Sequence, residues 1–194
     1  MKQLLSEIRQ CQICMAHLPH GIRPILNASN TAQIALIGQA PGKKVHESGI
    51  PWKDPSGVRL RSWLDVTEES FYDPTCFAII PMGFCYPGKG NSGDLPPRPE
   101  CAPTWHEPLF RSMPSIKLTI LIGQYAQKFY LGDRMNKNLT ETVRSFRDYA
   151  PSHIVLPHPS PRNRFWLSQN KWFEQELVPF LQSKVQEILD PTGG

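Results

Sequence analysis

The sequence predicts an α/β protein, a single three-layer α/β/α domain built on a four-stranded parallel sheet. Short uninterrupted apolar runs recur along the chain, at 34–37, 76–80, 118–122 and 153–156. Continuous rather than alternating hydrophobicity marks strands buried on both faces, as parallel strands are. Stretches of helical spacing separate these runs, the alternation that lays helices on both faces of one sheet. At 194 residues, with 40% hydrophobic and 20% charged residues, the chain has the size and composition of one globular domain.

Taken in order, residues 1–9 read as a short amphipathic helix, followed by the pair Cys11 and Cys14 and an irregular segment to about Thr31. The first strand, Ile34 to Ile37, breaks at Gly38-Gln39-Ala40-Pro41-Gly42, where two glycines and a proline stop strand and helix alike. A long connection containing Gly49, Pro51, Pro55 and Gly57 leads to a helix expected from about Ser56 to Glu69. The second strand is Cys76 to Ile80, and Cys76 is expected to be an inert buried thiol. The loop from Pro81 to Pro99 is long for a compact domain and rich in Gly and Pro, which suggests a function. A helix from Cys101 to Met113, a strand at 118–122 and a helix from Gln124 to Leu131 follow, and residues 132–150 remain ambiguous. The fourth strand ends in the rigid, polar loop Pro157 to Arg164. One last helix, about Leu167 to Leu189, is expected to kink at Pro179.

No apolar run approaches the roughly 20 residues that span a bilayer, and the N-terminus lacks the apolar core of a signal peptide. An intracellular, cytoplasmic protein is expected. A net charge of +4 permits nucleic acid without requiring it. Lys43, Lys44, Arg59 and Arg61 follow the first loop, and Arg162 and Arg164 the second, yet a solvated mixed surface explains them equally well. Five cysteines in such a chain argue against a disulfide framework. In an open α/β sheet, loops leaving the carboxyl ends of strands carry ligands, so the two polar loops suggest one cleft with two walls.

The first loop is neither a dinucleotide fingerprint nor a P-loop. Taken together, Gly38 to Gly42, His158-Pro159-Ser160-Pro161, and Gly49-Ile50-Pro51-Trp52 with Ser56-Gly57 behind it resemble the motifs of the uracil-DNA glycosylase superfamily. Cys11, Cys14, Cys85 and Cys101 match its iron–sulfur (family 4) branch, the last two separated by 15 residues. The resemblance implies a parallel sheet between helices, and hydrolysis of the N-glycosidic bond of a damaged base flipped out of DNA. Flipping has a physical reason, because the sugar carbon is unreachable inside a stacked duplex. It implies DNA carrying a damaged base as partner, bound by a monomer away from any membrane.

On that resemblance, His158 donates a hydrogen bond to the departing anionic base, a role worth on the order of 10²–10³ in rate. Its alternative is a cap for the following helix. Backbone groups of Gly38, Ala40, Pro41 and Gly42 hold base or phosphate, and Trp52 either stacks on the base or simply packs in the core. Ser56 and Ser160 are candidate phosphate contacts, and Arg162 and Arg164, with Asn163 and Phe165, press into the duplex groove. The four cysteines ligate a four-iron four-sulfur cluster, with structural zinc as the competitor and metal-free thiols as the third possibility.

The pattern also breaks. The uracil enzymes carry a water-activating Asp where this chain has Ala40, and the iron–sulfur branch has an acid where this chain has Gln39. Pro81 stands where that branch places an Asn that reads the base edge. His46 or Glu47 are the substitute water-positioning groups, and Gln39 can offer an amide of either polarity. Two hypotheses follow: a monofunctional glycosylase acting on a deaminated base, uracil first, or a non-catalytic nucleic-acid-binding relative that has lost its water activator.

Overall fold

The computed structural model describes residues 1–91 and 93–190. Four strands, β1 (Ile34–Ile37), β2 (Phe77–Ile79), β5 (Leu118–Ile122) and β6 (His153–Leu156), form a parallel sheet in the order β2-β1-β5-β6. Every residue of β1, β2 and β5 is buried, as continuous apolar runs require. The outer edge of β2 is paired rather than left open: Asn27 and Ile79 exchange backbone hydrogen bonds of 3.0 and 2.7 Å. Two short strands, β3 (Lys89–Gly90) and β4 (Gly93–Asp94), make a hairpin inside the long loop after β2.

The α-helices are α1 (Lys2–Arg9), α2 (Lys43–Ser48), α3 (Pro55–Leu64), α4 (Glu68–Tyr72), α5 (Cys101–Arg111), α6 (Gln124–Leu131), α7 (Leu139–Arg144), α8 (Arg164–Gln169) and α9 (Val178–Leu189). With the sheet they form the expected three layers. Core residues such as Leu60, Leu64, Leu177, Leu181 and Val185 carry helices onto the sheet. Helix α3 begins on a strong signal: the Asp54 side chain accepts the Gly57 N–H at 2.9 Å, with Pro55 in the first turn.

Several expectations need correction. The helix from Ser56 to Glu69 is two helices, because Asp65 turns left-handed (φ 54°) and Thr67 caps a new start on the Ser70 N–H at 3.2 Å. Helix α2 lies in what reads as a plain connection; Gly42 opens it and Gly49 closes it with φ 73°. The C-terminal helix breaks at Asn170, whose side chain bonds the Trp166 carbonyl at 2.8 Å, rather than at Pro179. A widened turn, Phe173–Leu177, sits just ahead of Pro179, where the missing N–H would interrupt a regular ladder. Cys76 is only partly buried, although burial does push its thiol up. Among the described residues no helix is long and apolar enough to cross a membrane.

Candidate active site

The loops that leave the carboxyl ends of β1, β2 and β6 enclose a cavity of about 460 Å³. Its first wall is the β1 loop, with Gly38, Gln39, Ala40, Pro41 and Gly42 all on the lining. This loop stays pinned to the chain after β2, because the Met82 and Gly83 N–H groups donate to the Gly38 and Gln39 carbonyls at 2.8 and 3.0 Å.

Trp52 forms part of the same wall, and two glycines make room for it. A Cβ on Gly38 would lie 2.9 Å from the Trp52 ring, and one on Gly57 would lie 1.8 Å from the Trp52 carbonyl oxygen. Trp52 itself has φ 56°, a left-handed conformation that a bulky residue rarely adopts and that surrounding contacts must enforce. Its ring packs on His158, with centroids 5.6 Å apart and planes tilted by 34°.

His158 is half-buried on the opposite wall, and its backbone is braced from several sides. Its carbonyl accepts from Asn163 Nδ2 at 2.7 Å, and Arg59 Nη1 donates to the Ser160 carbonyl at 3.0 Å. Below it, fully buried Gln127 donates to the Leu156 carbonyl at 2.9 Å. Burial lowers the His158 pKa, while the charges of Asp54 and Asp94 pull it up. A neutral imidazole, still able to donate through one ring nitrogen, is what this environment favours at neutral pH.

Ser56 and Ser160 also line the cavity, and Arg162 reaches across its mouth to the hairpin, its Nη1 2.9 Å from where a Gly93 Cβ would stand. Arg164 lies outside the lining, exposed at the start of α8 beside Phe165, which is 71% exposed. Two further expected residues are not brought to the cavity. The His46 ring turns onto His20 and Tyr86, with centroids 6.1 and 5.8 Å away, and Glu47 points outward to pair with Lys43 at 3.8 Å. Gln39 is present but engaged, its Nε2 donating to the Leu95 carbonyl at 3.4 Å. Arg59 and Arg61 are engaged too, Arg61 lying over the Phe71 and Tyr72 rings at 5.5 and 5.9 Å.

The structure adds two carboxylates that sequence alone does not single out, Asp54 and Asp94. Asp54 has a legible signal, the Asp-Pro start of a helix. Asp94 has none, since only the hairpin brings it to the cavity. Pro81 lines the floor, and its carbonyl accepts from His106 Nε2 at 3.1 Å. With that nitrogen donating, Nδ1 accepts the Tyr130 hydroxyl proton at 2.6 Å. Lacking an N–H, Pro81 offers a bound base no backbone hydrogen-bond donor.

The matching family model is the uracil DNA glycosylase superfamily, over residues 26–182, more than half the chain. The chain belongs to the uracil DNA glycosylase superfamily. Membership in this glycosylase superfamily points to a DNA glycosylase with DNA as its partner, and the matched span holds every residue lining the cavity except Ile25. It begins after Cys11 and Cys14.

Those two cysteines meet Cys85 and Cys101 elsewhere in this superfamily member, around a separate cavity of about 20 Å³. The Cys101 thiol accepts the Phe84 N–H at 3.4 Å and is pushed up to about 12 by burial, and burial raises Cys85 and Cys14 as well. Among the described residues, no three His, Cys, Asp or Glu side chains converge as ligands of a metal ion.

Proposed function

We propose that this chain is a monofunctional DNA base-excision glycosylase that hydrolyses the N-glycosidic bond of a deaminated base, uracil first, flipped into the 460 Å³ cavity. The observation that carries this proposal is His158, braced by its backbone and packed on Trp52 at the carboxyl edge of the sheet, in a glycosylase-superfamily chain. As the glycosidic bond breaks, negative charge gathers on the base. A neutral His158 donates an N–H to it, and the fixed loop spends no reorganisation in doing so. Trp52 stacks on the base, with an expected contribution of about 1–3 kcal/mol. Ser56, Ser160 and the β1-loop amides meet phosphate or base, while Arg162 and Arg164 engage the backbone and Phe165 fills the gap the base leaves. The protein acts as a monomer.

Pro81 shapes specificity. With no N–H and no polar side chain, it cannot donate a hydrogen bond that would tell uracil from a similarly shaped base. Hypoxanthine and xanthine are accordingly substrates to test beside uracil, in single and double strands. Release of none of the three, from DNA that the protein binds, would overturn the enzymatic function.

The spacing of the four cysteines supports an assignment to the iron–sulfur branch. Burial pushes the Cys14, Cys85 and Cys101 thiols up, so a metal centre here would have to supply the positive charge that stabilises their thiolates. The group the resemblance implies is a four-iron four-sulfur cluster held by Cys11, Cys14, Cys85 and Cys101, tying the N-terminal segment to the loop after β2, with structural zinc as its competitor.

One observation favours a second function, non-catalytic binding of nucleic acid: the first loop carries no carboxylate, and Gln39, His46 and Glu47 are all turned to other contacts. It predicts salt-dependent DNA binding with no base release.

A further inference from the structure

Hydrolysis needs an attacking water, and among the described residues lining the cavity only Asp54 and Asp94 are carboxylates. Asp54 is committed to the fold, its Oδ1 accepting the Gly57 N–H at the start of α3. Asp94 is placed differently. Its Oδ1 lies 3.5 Å from the hydroxyl of buried Tyr86, and its Oδ2 faces the first loop, 3.2 Å from where a Gly42 Cβ would stand. The absence of a side chain at Gly42 leaves this oxygen open to the cavity.

We propose that Asp94 is the catalytic carboxylate that holds and deprotonates the attacking water, an inference that rests on the glycosylase function proposed above. The hairpin fixes its position. Asp94 is in register with Lys89, and the next residue, Leu95, donates its N–H to the Gly88 carbonyl at 2.9 Å. The Gln39 amide then ties the Leu95 carbonyl to the β1 loop at 3.4 Å, which makes Gln39 a positioning residue. The hairpin follows β2 and the His158 loop follows β6, the two edge strands of the sheet, so carboxylate and imidazole reach the cavity from opposite sides. Asp94 and His158 line the same cavity.

The step balances. A lone pair of the water forms the bond to the sugar C1′ while the C1′–N bond breaks, and that bonding pair leaves on the base. The water proton passes to the Asp94 carboxylate, and the base anion accepts a hydrogen bond from His158 before taking up a proton, which returns Asp94 to its ionised form. Asp94 stands exposed on the rim, and DNA closing over the cavity would exclude bulk water and strengthen its field.

The test is single-turnover base release from an oligonucleotide carrying the released base, with binding to an abasic-site duplex measured in parallel. Asp94→Asn is expected to lose about 10²–10⁴ in rate, the usual worth of a general base, with abasic-site binding unchanged. Asp94→Ala is expected to regain rate with added formate, which brings a carboxylate into the vacated space, and His158→Ala is not. Wild-type release that Asp94→Asn leaves within about threefold, far below a general base's contribution, would overturn the inference alone. Rate and abasic-site binding lost together, without formate rescue, would also overturn it and assign Asp94 to the hairpin's fold. No release by the wild-type protein would remove the glycosylase function itself.

Discussion

Gly57→Ala tests whether the geometry around Trp52 matters, because the clash it makes has no flexible partner to absorb it. The added Cβ would sit 1.8 Å from the Trp52 carbonyl oxygen and 2.8 Å from its carbonyl carbon. Reaching even 3.0 Å requires the two backbones to part by 1.2 Å, the difference between 3.0 and 1.8 Å. Trp52 already holds a left-handed φ of 56°, and its ring lies 5.6 Å from the His158 ring, so the movement passes directly to the wall of the cavity. A misplacement of about 1 Å costs roughly 10²-fold in rate. Overpacking costs about 1–3 kcal/mol of stability, offset in part by alanine's better helix propensity of up to about 1 kcal/mol. The assay is single-turnover base release beside urea unfolding, with the exposed neighbour Val58→Ala as control. Wild-type release and stability in Gly57→Ala would refute the argument that this glycine sets the position of Trp52.

Stability should also depend on pH through His106. Burial holds its pKa at about 4, against 6.5 for a free imidazole. Its contribution is therefore complete above about pH 6.5 and declines as the unfolded state alone takes up a proton, until the folded site protonates near pH 4. At about pH 5 the loss is about 2 kcal/mol. Urea unfolding at about pH 7.5 and about pH 5 should show a steeper decline for wild type than for His106→Gln, and equal slopes would contradict the assignment. Protein purified without oxygen should contain iron and acid-labile sulfide in equal amounts, absorb broadly near 400 nm (roughly where such clusters absorb) and lose both in Cys85→Ser. Colourless protein with stoichiometric zinc, or with neither metal, would rule the cluster out.

Much of the fold is legible because buried parallel strands leave an unmistakable mark: Ile34 to Ile37 and Leu118 to Ile122 have no polar position except Thr119. Helix α6 is bounded in the sequence by Gly123 and Gly132, and the structure keeps those bounds. Helix α2 is hidden because it is six residues long with only Val45 buried, too short to show a period. The break at Asn170 is hidden by apolar residues on both sides, which continue a helical spacing that the Asn side chain interrupts locally. Both loops of the site can be found from glycine and proline where strands end. What cannot be found is the direction in which His46 and Glu47 point, since α2 must itself be recognised before its faces can be assigned. Asp94 is the harder case. It belongs to a hairpin of two-residue strands in a loop without periodicity, and only the register with Lys89 carries it to the cavity.

The most direct measurement is release of uracil, hypoxanthine and xanthine from short oligonucleotides by the wild-type protein and by His158→Ala, with DNA binding followed under the same conditions. The account predicts release of at least one base, lowered about 10²–10³-fold in the variant while DNA binding is kept. Binding without release by the wild-type protein, or release that His158→Ala leaves unchanged, would contradict it.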